Sequence, residues 1–217
     1  MKGFLQTRWG ALLLLVISYA LIFNKWVSFP YPFVIIILFI LGATFVQDGN
    51  LKSLNFKKLE AKDIKTILLG YLAIELSVDF IFDPIINWLT NDSADYSMFK
   101  PLENNTPLYT KWMVMMWISA AFGEELLFRG FMFSQLQRIF GDKKVLMVLI
   151  TAVLFAIPHM YQGIAGIIST FVFGVLFGTL YMRYQNLWVN VIVHGLVDTL
   201  FLTLSYLGLT GFYDILW

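Results

Sequence analysis

Seven apolar runs of spanning or near-spanning length dominate this chain, at about 9–23, 33–46, 64–82, 112–136, 145–157, 164–182 and 187–207. A bilayer crossing takes about 20 mostly apolar residues. The runs therefore predict an all-α integral membrane protein, a polytopic bundle of about seven transmembrane helices with a core of four around an intramembrane site. The fifth run is short for a crossing and is expected to tilt, borrow flanking residues or end inside the protein. The first follows Lys2 and Arg8, as a signal peptide would, but Asn24-Lys25-Trp26 is no small-residue cleavage site, so it reads as retained. Three parts are expected: helices 1–3 with their linkers over 1–111, a core over 112–207, and a short tail over 208–217.

Composition agrees. Of 217 residues, 59% are hydrophobic and 13% charged, against about 25% charged in a soluble domain. A formal net charge of +1 supplies no basic patch for nucleic acid. The absence of cysteine removes disulfide frameworks, iron–sulfur sites, thiol nucleophiles and cysteine-type zinc sites. Trp9, Trp26, Trp88, Trp112 and Trp188 lie near predicted helix ends, where interfacial anchors belong. With the N-terminus inside, eleven Lys and Arg residues fall on inner segments and three (Lys25, Lys100, Lys111) on outer ones. That asymmetry predicts a cytoplasmic N-terminus and an external C-terminus.

Two connecting segments carry information. The outer one, 83–111, is acidic and polar, and Asn91-Asp92-Ser93 and Asn104-Asn105-Thr106 match a glycosylation acceptor pattern that is common by chance. The inner one, 47–65, sets Leu51, Leu54, Phe56 and Leu59 among lysines. It reads either as an interfacial amphipathic stretch or as an ordinary cytoplasmic loop.

Polar clusters interrupt the apolar runs: Glu124-Glu125-x-x-x-Arg129, Phe155-x-x-x-His159 and His194-x-x-x-Asp198, which hold both histidines of the chain. An ionisable group at a bilayer centre costs roughly 2.5–3.5 kcal/mol on insertion scales. Repeated acceptance of that cost points to chemistry inside the membrane. On a helix, Glu125 and Arg129 are four residues apart and meet on one face, while Glu124 lies about 100° away and can point elsewhere. One carboxylate is thus neutralised and the other left reactive. Read structurally, the same residues are an intrahelical ion pair, a hydrogen-bonded membrane histidine and a His–Asp packing bond. Together they offer a base, a second proton handler or metal ligand, and an oxyanion stabiliser, the groups that water activation requires.

Helical rise puts Glu124 and His159 at matching depths, each roughly 21 Å from its nearest inner basic marker, Arg138 or Lys144. Asp198 comes close to that level, whereas His194 falls short by several Å unless its helix tilts. Glu75 and Asp79 form another pair four apart, with Asp79 expected near the external end in solvent and Glu75 deeper. No His-Glu-x-x-His zinc helix, Gly-x-Gly-Asp or Gly-x-Ser-Gly pattern is present.

In order, Glu-Glu-x-x-x-Arg, Phe-x-x-x-His and His-x-x-x-Asn/Asp resemble the CPBP family of intramembrane proteases, which comprises CAAX prenyl-protein endopeptidases and bacterial bacteriocin-processing and self-immunity (Abi) proteins. Phe131, Gly174, Gly178 and Tyr181 fit the same pattern, and the resemblance runs over roughly 112–204. It implies that Glu124 is the general base, assisted by His159, that His194 and Asp198 orient the carbonyl and carry the oxyanion, and that Glu125 and Arg129 support them. In the alternative it implies, His159 and His194 bind a metal, zinc by the donor types, which the sequence does not demand. Asp198 stands where asparagine is common; an ionised carboxylate there would repel an oxyanion, so it must be protonated, a ligand, or a partner of His194. Pro158 bends or ends the helix before His159.

The expected activity is endopeptidase cleavage of a membrane-associated peptide or lipidated protein in a bacterial plasma membrane, with lipid and peptide as partners. Leader or signalling peptide processing, or self-immunity, is favoured over prenyl-protein maturation. A non-catalytic immunity or scaffold protein is the alternative. A proton- or ion-coupled transporter is disfavoured by the lack of an inverted repeat.

Overall fold

The computed structural model describes residues 2–27 and 30–210, so the expected tail lies outside the described residues from 211 onward. Everything regular in them is helical, without a strand. The α-helices are α1 (Lys2–Leu5), α2 (Arg8–Ala20), α3 (Tyr31–Asp48), α4 (Ala61–Ser77), α5 (Asp83–Thr90), α6 (Thr106–Met116), α7 (Phe133–Phe140), α8 (Lys144–Ala156), α9 (Gly163–Tyr184) and α10 (Leu187–Tyr206). All seven apolar runs lie within helical stretches. Among the described residues, three stretches are long and apolar enough to cross a membrane: Tyr31–Asp48, Lys144–Tyr184 and Leu187–Tyr206.

The second of these is 41 residues long but folds back on itself. Pro158 sits in a tight 3-10 turn, Ile157–Gln162, and Gly163 follows in a left-handed conformation with φ +78°. The returning helix packs closely because Gly174 and Gly178 face Ala152 and Val148: a Cβ on Gly174 would stand 2.8 Å from the Ala152 Cα. Small residues four apart bring membrane helices into contact in this way. The short fifth run is therefore one arm of a helical hairpin whose turn carries His159.

Residues 61–90 and 106–140 are each continuously helical, but not α-helical throughout. The backbone relaxes to π-helix over Val78–Phe82 and again over Trp117–Glu124 and Leu126–Met132. Such segments are rare and concentrate at functional sites. From Ala121 to Phe133 nearly every side chain is buried. A helix apolar almost all round belongs at a centre, and α3, α8 and α10 pack around this one.

Segment 47–65 turns most of its apolar side chains toward the core. Leu54 is fully buried, and Leu51 and Phe56 pack against the core. Phe56 lies 5.6 Å from the Trp188 ring and 6.3 Å from Phe122. Asn55 donates from Nδ2 to the Tyr181 hydroxyl at 2.7 Å, and its carbonyl accepts from the Leu187 amide at 3.0 Å. Three of the four apolar side chains thus turn inward, leaving Leu59 exposed. Nearby, Gln47 and Gln135 exchange reciprocal amide hydrogen bonds at 3.0 Å, tying α3 to α7.

The outer segment is also more ordered than a loop. Its first eight residues are α5, because Pro84 stands in the first turn, where a missing N–H costs nothing. Beyond α5, Phe99 packs edge-on to Trp112 and Phe201, and the Asp95 amide donates to the Gln162 carbonyl at 2.9 Å. The segment lies across the end of the bundle that holds the polar residues.

Candidate active site

Glu125 is the hub of the buried polar network. Its Oε1 accepts from Arg129 Nη1 at 2.8 Å, and both side chains are completely buried. The i, i+4 pairing expected for an α-helix survives the π-helical backbone on either side. His194 places Nδ1 2.9 Å from the same Oε1, and Asn190 donates to Oε2 at 3.2 Å and to the Phe177 carbonyl at 2.8 Å. Arg129 completes the cluster by donating to the Gly174 carbonyl at 3.2 Å. Its guanidinium lies 4.6 Å over the Phe155 ring and 5.4 Å over Phe177, a weakly hydrated cation on aromatic faces. Helix α10 reaches this cluster because Gly195 has no side chain; a Cβ there would overlap the Trp117 ring.

Glu124 is different. It is 8% exposed, points away from the Arg129 pair, and lines a cavity of about 970 Å³. His159, His194 and Asp198 line the same cavity. His159 is fixed through Nδ1, 2.9 Å from the Phe155 carbonyl, which leaves Nε2 available. Phe155 therefore carries the Arg129 guanidinium on its ring and orients His159 with its backbone. His194 stacks on Phe177 at 4.7 Å between centroids. With Nδ1 on Glu125, an acceptor when ionised, its Nε2 stands 3.5 Å from Asp198 Oδ2.

All four residues expected to act in catalysis thus share one cavity, and both expected supporting residues sit directly behind it. The depth assigned to His194 was too shallow: its ring reaches Glu125 directly. Counting rise per residue ignores side-chain length and the close approach that Gly195 permits. Asn190 was missed, since an asparagine four residues before a histidine has many structural uses. Asp79 was expected in solvent, yet it is 9% exposed, because the helix continues past it to Thr90. Glu75, Asp79 and Asp83 all line the same cavity.

Among the described residues no group of three or more His, Asp or Glu side chains is positioned around a common point that could hold a metal ion. Of the two histidines, His194 has a carboxylate at each ring nitrogen.

The family model for type II CAAX prenyl endopeptidase Rce1-like proteins matches residues 106–200. The match supports the CPBP group of CAAX proteases for this segment. The segment is somewhat under half of the chain and contains Glu124, Glu125, Arg129, His159, Asn190, His194 and Asp198, while Glu75, Asp79 and Asp83 lie outside it. Neither the curated proteins nor the solved structures include a significant match.

Proposed function

We propose that this protein is an intramembrane endopeptidase that hydrolyses a peptide bond of a membrane-associated peptide or lipidated protein with water activated by Glu124 and His159. One observation carries the reading: Glu124 lines the cavity with His159, His194 and Asp198, while its neighbour Glu125 is wholly engaged by Arg129, His194 and Asn190. A carboxylate buried beside imidazoles, with the nearby arginine paired to its neighbour instead, is suited to accept a proton from water.

In the proposed reaction, a water held between Glu124 and the free Nε2 of His159 attacks the scissile carbonyl carbon and loses a proton to Glu124. The carbonyl oxygen, now negative, faces Nε2 of His194, whose proton is shared with Asp198. Collapse of the tetrahedral intermediate breaks the C–N bond, and Glu124 delivers its proton to the leaving amine. Glu125 fixes the His194 ring through Nδ1, and Arg129 and Asn190 fix Glu125. Every step uses side chains of this chain, and none passes through a metal.

The wider setting belongs to the same proposal. All seven helical runs cross the bilayer of a bacterial plasma membrane, with the N-terminus cytoplasmic, and the protein processes a leader or signalling peptide or serves self-immunity. The Lys and Arg asymmetry and the compact chain support this placement. The test is cleavage of candidate membrane peptides by purified protein in nanodiscs, wild type against Glu124→Gln and His159→Ala at equal expression. Cleavage lost in both variants supports the reading. A biological effect that survives both without cleavage would instead identify a binding or immunity protein.

A further inference from the structure

On the part of the cavity wall supplied by the helical stretch 61–90, the chain places a row of acids at four-residue intervals: Glu75, Asp79 and Asp83. They stand on one helical stretch, with the π-helical turn Val78–Phe82 between α4 and α5 keeping all three on the cavity side. The row lies outside the segment shared with the CAAX proteases, and the proposed water chemistry uses none of it. Three carboxylates on a buried wall oppose one another and stay hydrated poorly, so a bundle that only needed to fold gains nothing from them.

A second observation shows that the row is incomplete by itself. Glu75 is 93% buried (7% exposed), lines the cavity, and its Oε2 is sealed from solvent without a hydrogen-bond donor among the described residues. A native buried polar atom left in this state calls for an explanation, and a bound group from outside the chain is one. Its charged neighbours are all acidic: Asp79, Asp198 and Asp83. The cation that lines the cavity from the chain itself is Lys25, exposed at the rim. Tyr96 and Tyr161 add aromatic surface to the same cavity, Tyr96 in the electrostatic neighbourhood of Asp83 and Asp79 and Tyr161 in that of Glu124 and Asp198. Carboxylates with aromatic faces beside them recognise an ammonium or guanidinium.

We infer that Glu75, Asp79 and Asp83 form a subsite that holds a basic side chain of the peptide substrate, Lys or Arg, while Glu124 and His159 act on the bond. The inference rests on the peptidase reading and adds the substrate class: a cationic residue near the scissile bond, carried into an acidic chamber. Docking this residue supplies the partner that Glu75 lacks and fixes the peptide's position relative to Glu124.

The experiment pairs binding with cleavage. A peptide with Lys at successive positions, and the same series with norleucine, are presented in phosphatidylglycerol nanodiscs, which contain no lipid amine. Binding is measured on Glu124→Gln protein, and turnover on wild type. At one position Lys is expected to bind roughly tenfold tighter than norleucine, the scale of a hydrogen bond to a charged group. Glu75→Gln should erase that preference while norleucine peptides bind as before. Asp79→Asn and Asp83→Asn serve as second variants if Glu75→Gln does not fold, which a thermal melt reads. Equal binding of Lys and norleucine peptides at every position overturns the subsite, whatever the turnover. A Lys preference seen only when phosphatidylethanolamine is withheld and lost when it is added assigns the acids to a lipid amine and overturns it too. A preference erased by Glu75→Gln without turnover in wild type keeps the subsite and defeats the peptidase reading.

Discussion

Arg129 and His194 share one oxygen atom: Glu125 Oε1 stands 2.8 Å from the arginine and 2.9 Å from the histidine. This carboxylate joins the central helix to α10 with no solvent to replace it. Removing one partner of a buried ion pair strands the other and costs about 3–5 kcal/mol. Glu125→Ala is therefore expected to lose most of its folded population, read by thermal or denaturant unfolding in detergent, and Arg129→Ala should behave alike. A stable, well-folded Glu125→Ala protein would contradict the network.

Glu124 should separate cleanly from its neighbour. It belongs to the cavity wall and not to the ion pair, so Glu124→Gln is expected to melt close to wild type while its turnover falls by about 10²–10⁴-fold, the range for loss of a general base. Measuring kcat and melting temperature on the same preparation distinguishes this from the Glu125 result.

Two glycines make opposite predictions. In α9, a Cβ at Gly174 would approach the Ala152 backbone to 2.8 Å, where nothing flexible can give way. Gly174→Ala should cost about 1–3 kcal/mol, as overpacking does. Gly42, inside α3, has open space around the position. There Gly42→Ala should be neutral or stabilise by about 0.5–1 kcal/mol, through the backbone entropy that glycine loses in a helix. Unfolding midpoints of the two variants check both signs.

Metal removal supplies a fourth outcome. For zinc to sit between His159 and His194, the His194 ring would have to release Glu125 or Asp198. Cleavage should accordingly survive prolonged chelation, and purified protein should hold well under one zinc per chain. Activity lost to a chelator and restored by zinc alone would return His159 and His194 to the role of ligands.

Much of the arrangement can be read from residue spacing. The i, i+4 geometry alone separates Glu125 from Glu124, and Pro158 marks the turn that presents His159. What spacing could not reveal was mostly tertiary. Asp79 looked solvated because the apolar run stops near Phe82, but hydropathy ends there while the helix does not; Pro84 falls where a helix tolerates it. His194 looked shallow because rise along one helix says nothing of how closely two helices approach, and Gly195 sets that distance through Trp117. Leu51, Leu54 and Phe56 looked like membrane-surface residues because an amphipathic pattern does not say which apolar phase receives it, lipid or protein.

The π-helical stretch from Trp117 to Met132 has a consequence for how this chain can vary. A π-helix advances less per residue than an α-helix, so the stretch carries surplus chain for the distance it spans. Deleting a single residue between Trp117 and Gly123 would let the backbone tighten to ordinary α-helix, with about 100° of rotation per residue to be absorbed. Either Glu124 would swing off the cavity wall or α7 would turn relative to its packing partners. The length of this segment is constrained along with its residues: the spacing between Trp117 and Glu124 is itself part of the site.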